Sequence, residues 1–154
     1  MMGQMAGTAW AGERGPQTGL PLPRFVSLKA REANVRRGPS LSHRIDWVFQ
    51  RRGMPLQVVG EYEHWRRVQD QDGVGGWVHY MLLSGARTGL VETDLAGLYA
   101  SADTRSLVKA HLEAGVIVSI ERCKPAWCRV RAEGIKGWVE KKHIWGVTSE
   151  EVFP

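Results

Sequence analysis

The chain repeats itself, and that repeat constrains its fold more than any other feature. Gly53-Met-Pro-Leu-Gln-Val-Val59, Trp65-Arg-Arg-Val68, Gly76-Trp77-Val78 and Leu83-Ser-Gly85 form one series. Gly115-Val-Ile-Val-Ser-Ile-Glu121, Trp127-Cys-Arg-Val130, Gly137-Trp138-Val139 and Ile144-Trp-Gly146 form a second. Positions 53 to 68 match positions 115 to 130 without a gap at an offset of 62, and one deletion before Gly137 shifts the offset to 61. Upstream the match is fainter, with Ala33-Asn-Val35 against Ala96-Gly-Leu98. A duplicated unit of about 60 residues implies two small domains, each near the lower size limit for folding alone.

Within a unit, Leu56 and Val58 alternate with polar neighbours, as do Val118 and Ile120, which is the period of a half-buried strand. Turn signals at Arg52-Gly53, Gln71-Asp-Gly73, Gly75-Gly76, Ala114-Gly115 and Glu133-Gly134 leave room only for short strands. Several short strands in so small a unit predict a barrel, because closure removes exposed edges. Thr104 to Glu113 has helical spacing at Leu107, Val108 and Leu112, but its counterpart Ile45 to Arg52 leads into the same glycine-started strand. Both segments are therefore expected to be strands. The composition agrees: 18 glycines and 7 tryptophans in 154 residues favour turns and aromatic packing over a helical bundle. No apolar run approaches the roughly 20 residues of a transmembrane helix.

The order Asn34-Val35-Arg36-Arg37-Gly38-Pro39, then a tryptophan three before a valine, then Gly-Trp-Val, resembles bacterial Src homology 3 (SH3-like) domains. The second unit, with Cys123, Trp127-Cys128-Arg-Val130, Gly137-Trp138-Val139 and Trp145-Gly146, resembles the last domain of exported proteobacterial proteins that carry two such domains in tandem. It lacks the Asn-Val-Arg start, having Gly97-Leu98-Tyr99, so a ligand site built on that start is not expected there. The resemblance implies an all-β chain of two tandem five-stranded SH3-like barrels. It also implies a binding or scaffolding role in the cell envelope, towards peptidoglycan or another envelope protein, without catalysis.

The expected division is a leader and flexible linker over 1–23, a first barrel over 24–86, a linker over 87–94, a second barrel over 95–147 and a tail over 148–154. The linker expectation rests on Gly and Pro between Glu13 and Pro23. Ala9-Trp10-Ala11 has the small-x-small form of a signal-peptidase site, but no Lys or Arg precedes the short apolar stretch. Met1 to Gly12 thus reads as a cytosolic leader or as the end of an export signal.

Cys123 and Cys128 flank Lys124-Pro-Ala-Trp127, and in a hairpin they would face each other within about 4.5 to 5.5 Å, a separation that a disulfide accepts. At offset 62 their counterparts are Glu61 and Arg66, an opposite-charge pair suited to the same facing positions. Reduced thiols, a zinc site completed by His111 and His143, and a catalytic thiol are the alternatives; the disulfide reading points to an oxidising compartment and periplasmic export. No metal or cofactor site is expected.

The candidate ligand residues are Trp65, Trp77, Trp127, Arg36, Arg37 and Arg66. Trp65 and Trp127 lie on the strand face opposite Val68 and Val130, where aromatics suit sugar rings or Pro-rich peptides. Three arginine pairs, 36–37, 51–52 and 66–67, recur every 15 residues in the first unit only, in a chain of formal net charge +5. They read either as a solvated face or as an anion-binding one, and the second possibility leaves open a cytoplasmic module that binds nucleic acid. The favoured reading expects no nucleic acid.

Overall fold

The computed structural model describes residues 13–154, so the expectations for Met1 to Gly12 lie outside the described residues. Among the described residues sixteen short strands follow one another. A first hairpin pairs β1 (Glu13–Arg14) with β2 (Pro21–Leu22). The first unit holds β3 (Arg24–Leu28), β4 (Ala33–Arg36), β5 (Ile45–Phe49), β6 (Pro55–Tyr62), β7 (Trp65–Gln69), β8 (Gly75–His79) and β9 (Leu83–Ser84). The second holds β10 (Thr88–Val91), β11 (Ala96–Tyr99), β12 (Val108–Leu112), β13 (Ile117–Cys123), β14 (Trp127–Ala132), β15 (Ile135–Glu140) and β16 (Ile144–Trp145). A single 3-10 turn precedes the last strand of each unit.

The two sheets have the same order, β5-β4-β8-β7-β6-β3-β9 and β12-β11-β15-β14-β13-β10-β16. This is the tandem all-β architecture expected from the repeat, and the SH3-like one that the family resemblance implies. Each ladder counts seven strands where five were expected, because the long loop after β3 or β10 folds into a hairpin of its own, β4–β5 or β11–β12. The ladder does not close: β5 and β9 end one sheet, β12 and β16 the other. Ile45 to Arg52 and Thr104 to Glu113 supply β5 and β12, so both are strands as the repeat required.

Each sheet wraps one core. Leu28, Val35, Leu56, Val58, Val68 and Val78 fill the first, and Leu98, Val118, Val130, Val139 and Ile144 fill the second. The glycine of Gly-Trp-Val is set by a close approach. A Cβ on Gly76 would lie 2.7 Å from the Arg36 carbonyl oxygen, and one on Gly137 2.8 Å from that of Tyr99. Glycine alone lets β8 cross β4, and β15 cross β11, at that distance.

A bulge in β6 and its counterpart in β13 turn the following residues over. The register slips between Val58 and Gly60, and between Ile120 and Arg122. An extra residue reverses the in-out alternation. Glu61 and Cys123 therefore point inward and are buried. Glu61 faces Arg66 and Cys123 faces Cys128, the equivalence predicted from the offset of 62. The second pair is a disulfide, with Cα atoms 4.0 Å apart. Cys123 exchanges both backbone hydrogen bonds with Phe153, so its facing with Cys128 is the closer, non-hydrogen-bonded kind.

Three segments expected to lie outside the two barrels are built into the fold. In place of a flexible linker over Glu13 to Pro23, the β1–β2 hairpin folds onto Glu61: the Thr18 hydroxyl and the backbone N–H groups of Gln17 and Thr18 donate to its carboxylate. The stretch 87–94, expected to link the domains, supplies β10, which pairs with both β13 and β16. The tail over 148–154 docks too, through Phe153 on Cys123 and Glu151 on Arg87. The physical reason is shared. Arg24 and Arg87 enter equivalent strands, and each holds a carboxylate at 2.8 Å, Glu61 and Glu151 respectively.

The units meet at this arginine. Arg87 also donates to the Gly146 carbonyl and lies against Phe25 of the first unit and Phe153 of the second. Phe25 contacts Trp145 edge-on with ring centroids 5.1 Å apart, and the Thr88 hydroxyl donates to the Gly53 carbonyl at 2.7 Å.

Candidate binding face of the first unit

Strands β7 and β8 present their outward residues as cross-strand rows: Trp65 opposite His79, Arg67 opposite Trp77, Gln69 opposite Gly75. Arg66, Val68 and Val78 point the other way and are buried. The alternation of a regular strand makes this division, as inferred for Trp65 against Val68.

Trp65 forms one wall of a groove of about 250 Å³ closed by Asn34, Arg36, Leu41, His79 and Leu82. The Trp65 and His79 rings meet edge-on at 5.5 Å, and Tyr80 stacks on His79 at 5.1 Å. The His79 imidazole accepts from the Met81 backbone N–H through Nδ1, which fixes the ring at the mouth of the groove. Arg36 donates to the carbonyls of Leu41 and His43, holding the β4–β5 loop over Trp65. One side of the groove is thus aromatic and the other carries the polar side chains of Glu32, Asn34 and Arg36, a lining that suits an amphipathic chain.

A second, more polar cavity of about 380 Å³ adjoins it across Arg36 and is lined by Arg37, Asp46, Arg67, Gly76 and Trp77. Arg37 and Arg44 both reach Asp46, at 3.3 and 2.6 Å. The Arg44 hydrogen bond outweighs the effect of burial and, with Arg37, holds the Asp46 carboxyl below its usual range.

The expected site residues separate accordingly. Trp65 and Arg36 share the groove, and Arg36, Arg37 and Trp77 share the cavity. Arg66 belongs to neither. It is buried on the inner face, donates to the carbonyls of Glu63 and Trp65, faces Glu61 at 4.0 Å and lies over the Tyr80 ring. Burial lowers its pKa, partly offset by Glu61. The three arginine pairs therefore do not form one face: Arg51 and Arg52 sit in the turn after β5. His79 was missed as a ligand candidate, and Arg67 stood only among the arginine pairs. Trp65, Arg67, Trp77 and His79 differ by even numbers within each strand, so the period-2 rule names them once β7 and β8 are paired.

Trp127 is the counterpart of Trp65, and its surroundings differ. Tyr99 stands where Arg36 does and sets its ring against Trp127, 5.6 Å away and edge-on, where the first unit has the groove. Tyr99 also lies over Gly97, where a Cβ would come within 2.7 Å of its ring. The absence of the Asn-Val-Arg start thus has a structural consequence.

Among the described residues no three His, Cys, Asp or Glu side chains cluster as metal ligands, and no helix is long and apolar enough to cross a membrane.

Solved structures to which the chain shows similarity include NlpC2 and NlpC1 from Trichomonas vaginalis and an NlpC/P60 family protein from Bacillus cereus. They are 13%, 12% and 12% identical to this chain, with TM-scores of 0.37, 0.37 and 0.36. The matches cover 80%, 85% and 84% of this chain and 48%, 48% and 58% of those, so the chain spans about half their length. No curated protein sequence matches it significantly. The family model for the bacterial SH3 domain matches twice, over residues 29–85 and 92–146, one match to each repeat. The chain belongs to the bacterial SH3 domain family and carries two of its domains in tandem.

Proposed function

We propose that the chain is a non-catalytic binding module of the bacterial cell envelope, holding peptidoglycan or a partner protein through the outer face of its first domain. The observation that carries this reading is the difference between the two copies. The groove beside Trp65 is open and lined by Asn34, Arg36 and His79, whereas Tyr99 occupies the equivalent space beside Trp127. The first domain binds, and the second braces it through Arg87, Phe25 and Trp145.

The Cys123–Cys128 disulfide supports an oxidising compartment, and with it export to the periplasm. Burial of Arg66 against Glu61, and the separation of Arg51 and Arg52 from Arg37 and Arg67, favour this reading over a continuous nucleic-acid track. Co-sedimentation with purified peptidoglycan is the test. The full chain is retained, and Trp65→Ala is lost to the supernatant; equal retention removes Trp65 from the site. Mass spectrometry after thiol capture in intact cells tests the compartment, and free Cys123 and Cys128 there would overturn export.

A further inference from the structure

The two copies of the Gly-Trp-Val tryptophan have opposite surroundings. In the second unit Trp138 is sealed: the Arg122 guanidinium lies 5.3 Å and the Lys124 ammonium 4.9 Å from the ring centroid. The neighbouring Arg129 is neutralised by Glu121 at 3.6 Å, and the same carboxylate reaches Arg131 and Lys136. On that face Arg122 and Lys124 lie over the Trp138 ring, and Glu121 is shared by Arg129, Arg131 and Lys136.

In the first unit each of those seals is missing. At the offset of 62, Gly60 replaces Arg122, Tyr62 replaces Lys124 and Val59 replaces Glu121. A Cβ at Gly60 would sit 3.9 Å from the edge of the Trp77 ring, so no side chain from that position covers the ring, and Trp77 is half-buried where Trp138 is buried. Arg67, the counterpart of Arg129, is exposed and makes no side-chain hydrogen bond or ion pair among the described residues. Asp46, the one carboxylate of the cavity, is engaged by Arg37 and Arg44 and leaves Arg67 unmatched.

From this contrast we infer that the cavity between Arg37, Arg67 and Trp77 is a second binding site, distinct from the Trp65 groove, for a sugar unit that carries a carboxylate or phosphate. The anion replaces the missing Glu121-type carboxylate on Arg67, and charge-assisted hydrogen bonds to guanidinium are the strong kind. The apolar face of the ring lies on Trp77, where the second unit places Arg122 and Lys124. The cavity of about 380 Å³ fits one such unit. A nucleic-acid strand needs basic residues spaced along a groove, which this isolated cluster does not supply.

The test uses the full chain and isothermal titration calorimetry with tetragalacturonate, galactose-6-phosphate, a neutral maltotetraose and a single-stranded thymidine oligomer. Saturable binding of either sugar acid, about tenfold or more tighter than the neutral tetramer, is expected, and the stronger of the two identifies the anion. Arg67→Gln, at an exposed position, weakens it about tenfold. Val59→Glu installs the carboxylate of the second unit beside Arg67 and weakens it as much. Absence of saturable binding, equal binding by Arg67→Gln, or tighter binding of the oligomer than of either sugar acid would overturn the inference. Peptidoglycan retention through Trp65 is read separately, so the two sites fail independently.

Discussion

Glu61 is a fully buried carboxylate whose removal has a calculable effect. Burial by itself raises its pKa, but the Thr18 hydroxyl, Arg24 and the backbone N–H groups of Thr18 and Gln17 outweigh that and bring it from 4.5 to about 2. Folding lowers this pKa, so the unfolded chain takes up the proton first. The stabilisation is complete above pH 4.5 and drains away as the pH falls towards 2. The gap corresponds to about 3 kcal/mol at about 1.4 kcal/mol per pH unit. Glu61→Gln keeps the shape and removes the charge, so the variant is less stable by about 3 kcal/mol at neutral pH. Urea denaturation of both proteins across the acid range is the assay. The difference between them should shrink from its neutral value towards zero near pH 2, while losses from other carboxylates cancel in the subtraction. A difference that stays constant with pH would refute the claim that the buried charge anchors the β1–β2 hairpin to the first domain.

Three further outcomes follow from the same contacts. Arg87→Met removes both hydrogen bonds to Glu151, at 2.8 Å each, and the cation between Phe25 and Phe153; calorimetry should show a loss of about 2 kcal/mol and two separated unfolding transitions in place of one. An unchanged single transition would mean that Arg87 does not couple the domains. Cys123→Ala with Cys128→Ala opens a short loop and lowers stability by about 2 kcal/mol in the chain-entropy model, and reduction of the native protein should match it in a denaturant titration. Val59→Glu weakens sugar-acid binding about tenfold, read by calorimetry, with the unfolding midpoint of the parent.

Much of the fold was legible because duplication gave every position a control. The strands at Ile45 and Val108, the facing of Cys123 with Cys128 and the charge pair in its place all come from comparing one copy with the other. The separation of Trp65 from the core face was legible from the period of a strand. The same period excludes Arg66, which adjoins Trp65 and must face inward; the repeated arginine pairs masked that rule, and Arg67 is the residue on the outer face. Other features lay beyond pattern reading. The bulges that turn Glu61 and Cys123 inward depend on one unpaired residue, and the filling of the second groove depends on where the Tyr99 ring rests. The segments at 13–23, 87–94 and 148–154 are polar or rich in Gly and Pro, as linkers are. They are held by long-range contacts, of the first to Glu61, of the second to β13 and β16 and of the third to Cys123 and Arg87, that no local composition records.

The central claim is that the open groove of the first domain, and not its filled counterpart, contacts the envelope. Retention on purified peptidoglycan by Trp65→Ala and Trp127→Ala, measured side by side with the parent chain, tests it directly. The account predicts that Trp65→Ala loses at least about 1.4 kcal/mol of binding, a tenfold change, while Trp127→Ala is retained like the parent. Loss in Trp127→Ala with full retention of Trp65→Ala would contradict it.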